Sequence, residues 1–270
     1  MRIINPICHA MWSLTPYDKC DFRCVYCCTR VQGTSRPMVP VAEFTDTLQR
    51  ELDAIPADDL LIVGAFCDAY PYLEDSLGLT RGVIERLVAQ GRKFDVVTKS
   101  TTILRDIDVL AGWQHERQIY ISICSVDDQA LGQLDPGAPT SAARFTALRT
   151  LYDAGFSVAV NVLPWIPDVT DTAALIARTP ADVTMVFAPL QFGPDRSAMN
   201  LLGRRYTRDE VVERYMADYQ RYGHAPNTSW VRPSPPPLEN DPLYRLPTLD
   251  PPARFPMLAA VGRRVRSALR

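Results

Sequence analysis

Five short apolar segments alternate with amphipathic helical patterns, and this alternation limits the possible folds more than any other feature of the chain. The segments cover residues 59–66, 94–100, 118–125, 157–164 and 182–189, are rich in Val and Ile, and several of them are almost continuously apolar. Apolar runs of this kind are typical of strands that are buried on both faces. The alternation predicts an α/β fold with a parallel sheet and right-handed crossover connections, either as an open sheet or as a barrel.

Helical patterns occupy residues 41–55, 79–92 and 139–155. The third pattern is the clearest, because Phe145, Leu148 and Tyr152 recur at the spacing of one helix face. We expect Ser141 to cap the N-terminus of this helix and Gly155 to end it.

The pattern changes after residue 195. One amphipathic helix is predicted over residues 207–222, and ten prolines then fall between residues 226 and 256. Proline lacks the backbone N–H that helix interiors and central strands need. We therefore divide the chain into a core of residues 1–195 and an extension of residues 196–270, whose helix and proline-rich segment pack on the core. Trp230 in this segment is a candidate for part of a lid.

The composition is ordinary for a soluble globular protein, with 47% hydrophobic and 22% charged residues. A net charge of −2, without a long basic run, argues against a protein that wraps duplex DNA. The sequence contains no apolar run near the roughly 20 residues that span a bilayer, and its N-terminus lacks the features of a secretory signal. We expect a cytoplasmic protein, in which clustered cysteines bind metal more often than they form disulfides.

Four of the seven cysteines lie in the segment KCDFRCVYCC (19–28), and three of them have the spacing C-x3-C-x2-C. This spacing allows three thiolates to face one metal centre from a single loop at residues 20–28. A zinc site normally needs four ligands in two separated pairs, and the sequence has neither a second C-x2-C nor an H-x3-H pair. Three cysteines suit a [4Fe–4S] cluster in which one iron has no protein ligand.

The cysteine spacing, with an aromatic residue before the third cysteine, resembles the signature of radical S-adenosylmethionine (SAM) enzymes. The preceding SLTPYDKC (13–20) resembles the spore photoproduct lyase-like branch of that superfamily. The resemblance implies that Cys20, Cys24 and Cys27 are the cluster ligands, that the open iron binds SAM, and that Tyr26 packs beside the adenine. It also implies a partial (β/α)6 barrel over roughly residues 13–190.

Two further segments resemble the same branch. VGAFCDAYPYLE (63–74) places Asp68 where a carboxylate accepts hydrogen bonds from the SAM ribose hydroxyls, with capping of the next turn as the alternative. VVTKSTTILRDIDVL (96–110) places Lys99 at the carboxyl end of a strand, where parallel sheets and barrels bind their ligands. The ammonium group of Lys99 is expected to neutralise the SAM carboxylate, and a solvated strand-end lysine is the alternative.

The next two strands supply the remaining SAM candidates. Ser122 is expected to make a polar contact with SAM, and Arg144 either binds a carboxylate or holds Asp135. In VNVLPWIPDVTD (160–171), the resemblance implies that the backbone around Leu163 meets the adenine and that Asn161 points inward. Ordinary strand-edge hydrogen bonding is the alternative for Asn161.

Two thiols depart from the family pattern. Spore photoproduct lyases carry a cysteine hydrogen donor where this chain has Ala65, and the thiol here lies two residues later, at Cys67. Cys28 stands where the family tends to place a tyrosine with a role in hydrogen relay. Cys28 and Cys67 are therefore candidate catalytic residues; for Cys28, burial in the core and replacement of a cluster ligand are alternatives. Both departures count against repair of thymine dimers.

These observations predict a radical SAM enzyme of undetermined reaction class (lyase, mutase or oxidoreductase). It would cleave SAM to a 5′-deoxyadenosyl radical and abstract hydrogen from a small-molecule or peptide substrate, with an electron donor such as flavodoxin or ferredoxin as a partner. The alternatives are a nucleic-acid repair or modification enzyme and a non-enzymatic iron–sulfur or zinc protein. We expect neither a nucleic-acid nor a membrane partner. The candidates for substrate contact are Tyr70, Tyr72, Trp165 and Gln191.

Overall fold

The computed structural model describes residues 2–8, 10–27, 33–113, 118–192, 198–231 and 233. The strands are β1 (Ile4–Cys8), β2 (Met11–Leu14), β3 (Leu60–Val63), β4 (Phe94–Thr98), β5 (Ile119–Ser122), β6 (Val158–Trp165), β7 (Thr184–Pro189), β8 (Ala198–Leu201), β9 (Arg204–Thr207) and β10 (Thr228–Trp230). The helices are α1 (Val41–Asp53), α2 (Glu74–Leu77), α3 (Leu79–Ala89), α4 (Ile107–Leu110), α5 (Asp128–Leu134), α6 (Ser141–Asp153), α7 (Thr172–Arg178) and α8 (Arg208–Tyr222), with a 3-10 helix at Thr102–Asp106. None of the helices described is both long enough and apolar enough to cross a membrane.

Eight strands form one sheet in the order β1-β2-β3-β4-β5-β6-β7-β10. The β1–β2 pair is antiparallel, and every other neighbouring pair in this sheet is parallel. Strands β8 and β9 form a separate antiparallel hairpin. The predicted α/β class is confirmed, and the run of parallel strands with alternating helices has the connectivity of a partial barrel.

Alternation of side chains along each strand gives the sheet two different faces. Val96 and Ile121 lie in the main hydrophobic core, which also contains the apolar sides of α1, α3 and α6. Their neighbours Val97 and Tyr120 belong to a smaller cluster that also contains Ala159 of the adjacent strand β6. Every second residue toward the carboxyl end of each strand therefore points away from the helices, and these residues can line a site.

Helix α6 is rotated relative to the sequence expectation. Its cap is Thr140, whose side-chain oxygen accepts a hydrogen bond from a backbone N–H of the first turn at 3.2 Å. Ser141, the expected cap, is instead the first helical residue and is buried. The buried face includes Arg144, whereas Phe145 and Tyr152 are only half-buried. Packing against the sheet, rather than apolar spacing alone, decides which face is covered.

Trp230 belongs to the sheet and not to a lid. It lies in β10, which pairs in parallel with β7, and its side chain is 2% exposed. The indole ring stacks on Phe187 with ring centroids 4.4 Å apart and also contacts Tyr215 of α8. The first residues of the proline-rich segment thus extend the core, while residues 232 and 234–270 lie outside the described residues.

Candidate active site

A cavity of about 210 Å³ lies at the carboxyl ends of the parallel strands. Its lining residues come from the loop after β2 and from the ends of β3 to β7. Most of the predicted site residues line it together, namely Cys20, Cys24, Tyr26, Cys27, Cys67, Asp68, Lys99, Ser122, Asn161 and Leu163. Of the other two candidates, Arg144 lies behind the wall, and Cys28 falls outside the described residues.

The cluster loop, which we define as residues 20–27, is held in shape by Asp21. One carboxylate oxygen of Asp21 accepts a hydrogen bond from the N–H of Ser35 at 2.9 Å, and the other accepts one from the N–H of Tyr72 at 3.0 Å. Arg23 has a φ of 55°, in the left-handed region that few non-glycine residues adopt. The turn at Arg23 and the two bonds to Asp21 bring the cysteines before and after it to the same wall of the cavity.

The three motif thiols differ in their surroundings. Cys24 is buried, and burial raises the pKa of its thiol to about 11 although the charge of Lys99 acts in the opposite direction. Cys20 and Cys27 are half-buried. Within the described part of the chain, no three His, Cys, Asp or Glu side chains converge closely enough to hold a single metal ion. Three cysteines at one cavity wall match the ligand number of a [4Fe–4S] cluster with one open iron, whereas a structural zinc site normally takes four protein ligands.

The thiol of Cys67 lies against the cluster loop. Its sulfur donates a hydrogen bond to the carbonyl oxygen of Lys19 at 3.0 Å, and the residue is 2% exposed. The neighbouring Cys67 thiol lowers the pKa of Cys20, and the Cys20 thiol in turn raises the pKa of Cys67. Cys67 therefore keeps its proton while Cys20 ionises first. Ala65 lines the same cavity from the same turn.

Asp68 joins the ends of β3 and β4. Its carboxylate accepts hydrogen bonds from the hydroxyl of Thr98 at 2.6 Å, the N–H of Lys99 at 2.8 Å and the N–H of Tyr70 at 3.0 Å. The bond from the N–H of Tyr70 caps the next turn, which is the alternative role that the sequence offers for Asp68. The side chain nevertheless lines the cavity, so it can cap the turn and face a ligand at once.

Lys99 places a positive charge on the cavity wall. Burial by itself lowers the pKa of its ammonium group. The negative charges of Cys24 and Asp135 raise the pKa by more than burial lowers it, so that the net shift is upward. The Nζ atom lies 5.9 Å from the centre of the Tyr26 ring. Lys99 is therefore protonated at neutral pH and close to the aromatic residue of the cysteine motif.

Ser122 and Asn161 lie opposite each other on neighbouring strands. They are partners in the β5–β6 register, and the side-chain amide of Asn161 donates a hydrogen bond to the hydroxyl of Ser122 at 3.4 Å. Leu163 lies two residues beyond Asn161 and lines the same cavity. These three residues form the wall on the β5–β6 side.

The guanidinium group of Arg144 is hydrogen-bonded to other residues of the protein. Its guanidinium donates to Asp135 at 2.8 Å, to the carbonyl oxygen of Pro139 at 2.8 Å and to that of Ser122 at 3.2 Å. Burial lowers the pKa of Arg144, but Asp135 together with Tyr26 and Cys124 has a larger combined effect, so that the net shift is upward. Of the two alternatives for Arg144, the structure therefore has the one in which it holds Asp135.

The four candidates for substrate contact lie in different parts of the structure. Gln191 lines the cavity, but Tyr70 is only 1% exposed and does not. Tyr72 is 60% exposed on the outer side of the cluster loop. Trp165 packs against Tyr215 of α8, because the β6–β7 register shifts just before it. Position at a strand end alone could not distinguish these outcomes.

Sequence reasoning overlooked several lining residues. They are Gly64, Phe66, Pro164 and Pro189. Gly64 has a φ of 91°, and a Cβ atom there would lie 2.3 Å from the carbonyl oxygen of Val97, so the turn after β3 requires glycine. Phe66, Pro164 and Pro189 each end a predicted strand segment, and Gly64 lies two residues before the end of one; that position is the signal that could have identified them.

Comparisons with known proteins show which family this chain resembles. The family model described as the Radical SAM superfamily matches residues 14–178. An uncharacterized protein of Methanocaldococcus jannaschii is 24% identical over 228 residues, which cover 81% of this chain and 86% of that protein. An uncharacterized protein of Mycobacterium tuberculosis is 26% identical over 237 residues, which cover 80% of this chain and 69% of that protein.

Two kinds of solved structure share the fold. A spore photoproduct lyase variant with bound AdoMet and dinucleoside spore photoproduct has a TM-score of 0.59 at 17% identity, covering 81% of this chain and 75% of that chain. Streptococcus suis SuiB bound to S-adenosylmethionine has a TM-score of 0.57 at 12% identity, covering 82% of this chain and 50% of that chain. Because the family model spans more than half of the sequence and includes the cysteine motif, the chain belongs to the radical SAM superfamily.

Proposed function

We propose that the chain binds a [4Fe–4S] cluster through Cys20, Cys24 and Cys27, binds SAM in the adjoining cavity, and abstracts a hydrogen atom from a small-molecule or peptide substrate. One observation carries the proposal: the cluster loop shares its cavity with polar residues from the ends of β3 to β6. Among these are Asp68 and Lys99, which the sequence resemblance assigns to SAM.

When bound, the cluster and SAM supply reductive C–S cleavage and a 5′-deoxyadenosyl radical that takes hydrogen from an unactivated C–H bond. The contribution of the protein is then to position the reactants and to exclude water. Lys99 has the charge and the location to bind the SAM carboxylate. Asp68 accepts three hydrogen bonds, and its remaining lone pairs are available to the ribose hydroxyls.

The rest of the cavity wall suits the nucleoside part of SAM. Ser122 and Asn161 offer a hydroxyl and an amide on the same side, and Leu163 offers an apolar contact beside them. The ring of Tyr26, whose centre lies 5.9 Å from Nζ of Lys99, is the aromatic group that we assign to the adenine. Apolar residues such as Phe66 limit the access of water, which protects a radical from side reactions.

A nucleic-acid photoproduct is a second candidate substrate, because the fold is shared with spore photoproduct lyase. The turn after β3 argues against a nucleic-acid photoproduct as the substrate, since Ala65 stands at the position of the lyase hydrogen donor. Salt-dependent binding of single- or double-stranded DNA would support this candidate, and no binding at low salt would remove it.

Anaerobic reconstitution with iron and sulfide tests the proposal directly. With SAM and dithionite, the reconstituted protein is expected to release 5′-deoxyadenosine, and flavodoxin or ferredoxin is expected to replace dithionite as the electron donor. The Cys24→Ala variant should lose both the iron and the product. Cys124→Ala is the control for iron content, because it removes another buried cysteine that lies outside the motif. A wild-type protein that contains a complete cluster and forms no 5′-deoxyadenosine would contradict the proposal.

A further inference from the structure

The aromatic residue of the cysteine motif is held by a buried carboxylate from a distant part of the chain. The hydroxyl of Tyr26 donates a hydrogen bond to Oδ2 of Asp135 at 3.1 Å, across 109 positions of sequence. Tyr26 is 6% exposed and Asp135 is 1% exposed. The Tyr26 ring belongs to the cavity wall, and its neighbours Cys24 and Cys27 are two of the three motif cysteines.

Asp135 is in turn held by Arg144. The two side chains form a fully buried ion pair at 2.8 Å, in which Arg144 donates to the same Oδ2 atom that receives the Tyr26 hydroxyl. Arg144 also donates to the carbonyl oxygen of Ser122, a lining residue of the cavity. A buried ion pair adds little net stability because both charges must be desolvated. The role of the pair follows instead from its position, because it connects Ser122 in the cavity wall to Tyr26 in the cluster loop.

Backbone contacts extend the same attachment along the cluster loop. The N–H of Val25 donates to the carbonyl oxygen of Leu134 at 2.7 Å, and the N–H of Gly137 donates to that of Phe22 at 3.0 Å. A Cβ atom at Gly137 would lie 2.3 Å from the carbonyl oxygen of Asp21, so only glycine allows this approach. Residues 134–137 therefore run beside the cluster loop. The Asp135 side chain reaches the Tyr26 hydroxyl, which also lies 3.9 Å from the sulfur of Cys124.

We propose that Asp135, held by Arg144, is a positioning residue that fixes the Tyr26 hydroxyl and thereby orients the Tyr26 ring for SAM. The identification of the ligand as SAM rests on the proposed function. The positioning of the cluster loop by Asp135 does not depend on that function. The two parts can be measured separately, in the iron-free and in the reconstituted protein.

Tyr26→Phe is the central variant, because it removes one hydroxyl and leaves the buried ion pair complete. In the reconstituted protein, its Kd for SAM is expected to rise about threefold to tenfold, as for the loss of one hydrogen bond, while the iron content is unchanged. Asp135→Asn should raise the Kd as well. If the two residues act through each other, the double variant will show a smaller increase than the product of the two single effects.

Tyr215→Phe is the matched control. It also removes a buried tyrosine hydroxyl, one that donates to the carbonyl oxygens of Phe187 and Val231 at the β7–β10 side of the core. It should lower stability to a similar degree but leave the Kd for SAM unchanged. An increase equal to that of Tyr26→Phe would mean that general loosening of the fold explains the result and would overturn the proposal.

The iron-free protein gives a readout that does not depend on the cofactors. Hydrogen exchange at the N–H of Val25, which donates to the carbonyl oxygen of Leu134, reports how often the loop opens. It should be severalfold faster in Tyr26→Phe than in the wild type and unchanged in Tyr215→Phe. An unchanged rate in Tyr26→Phe would overturn the positioning role. Failure of the wild-type protein to take up iron would instead count against the proposed function.

Discussion

The thiol of Cys67 donates a hydrogen bond to the carbonyl oxygen of Lys19, 48 residues earlier in the chain, at 3.0 Å. The contact links the turn after β3 to the residue directly before Cys20, the first cysteine of the motif. The sequence marks Cys67 as a candidate hydrogen-atom donor because its thiol lies two positions from the place of the lyase donor. Its contact with Lys19 adds a role in holding the cluster loop.

Serine and alanine at position 67 separate these two roles. Cys67→Ser keeps a hydrogen-bond donor but has an O–H bond too strong to give up a hydrogen atom readily, so a holding role predicts normal iron content and normal SAM cleavage. Cys67→Ala should lower cluster retention about threefold to tenfold, as expected for one lost hydrogen bond. Iron analysis and 5′-deoxyadenosine assays measure both effects. Normal iron content in Cys67→Ser with a complete loss of substrate turnover would instead support the donor role.

Lys99→Gln should weaken SAM binding strongly, because it removes the positive charge from the cavity wall. A hydrogen bond to a charged group contributes about 1.5–3 kcal/mol, which corresponds to an increase in Kd of about tenfold to a hundredfold. Lys93→Gln is the control, since Lys93 lies at the start of the same strand and pairs with the exposed Asp58. Equilibrium binding of SAM to the reconstituted variants gives the comparison, and an equal effect of the two substitutions would contradict the assignment of Lys99.

Asp95 is expected to make the stability of the fold depend on pH. It is 1% exposed, one of its oxygens has no hydrogen-bond partner among the described residues, and burial raises its pKa from 3.8 to about 7. The folded state therefore holds the proton more tightly than the unfolded state does. The contribution of Asp95 to stability is fully present below pH 4 and is lost as the pH rises to 7.

Asp95→Asn should remove this dependence. At pH 8 the variant is expected to be more stable than the wild type by up to ~4 kcal/mol, and below pH 4 the advantage should disappear. Urea unfolding of the iron-free protein at several pH values measures the difference. Asp58→Asn, at a site whose side chain is 93% exposed, should leave the pH profile unchanged. A constant advantage of Asp95→Asn at every pH would contradict the argument.

Cys28→Ala should retain the cluster, because the three other cysteines of the segment complete the motif. Iron analysis and the absorbance of the reconstituted protein test this expectation. If Cys28 relays hydrogen, as its position in the family pattern suggests, the substitution should change the ratio of products formed from the substrate while the rate of SAM cleavage stays the same. Loss of iron would instead identify Cys28 as a ligand.

Much of the fold could be predicted from local patterns. Strands β3, β4, β5 and β7 lie within predicted apolar segments and β6 ends one residue beyond its segment, because burial on both faces leaves continuous runs of Val and Ile. The cysteine motif was equally readable, since all three thiols come from one loop and their spacing is visible in ten residues. Strands β1, β2, β8, β9 and β10 were not predicted, because each is short and contains polar residues or proline instead of a continuous apolar run.

The sequence by itself determined the elements and the residue types at the cavity, because these depend on neighbours along the chain. The tertiary structure alone decided which side chains meet across it. Arg144 was readable as a partner of Asp135, but the link onward to Tyr26 joins residues 109 positions apart and depends on the rotation of α6 against the sheet. Trp230 likewise packs on Phe187 only because β10 joins the edge of β7. Such contacts follow from packing around a common core, and no local pattern encodes them.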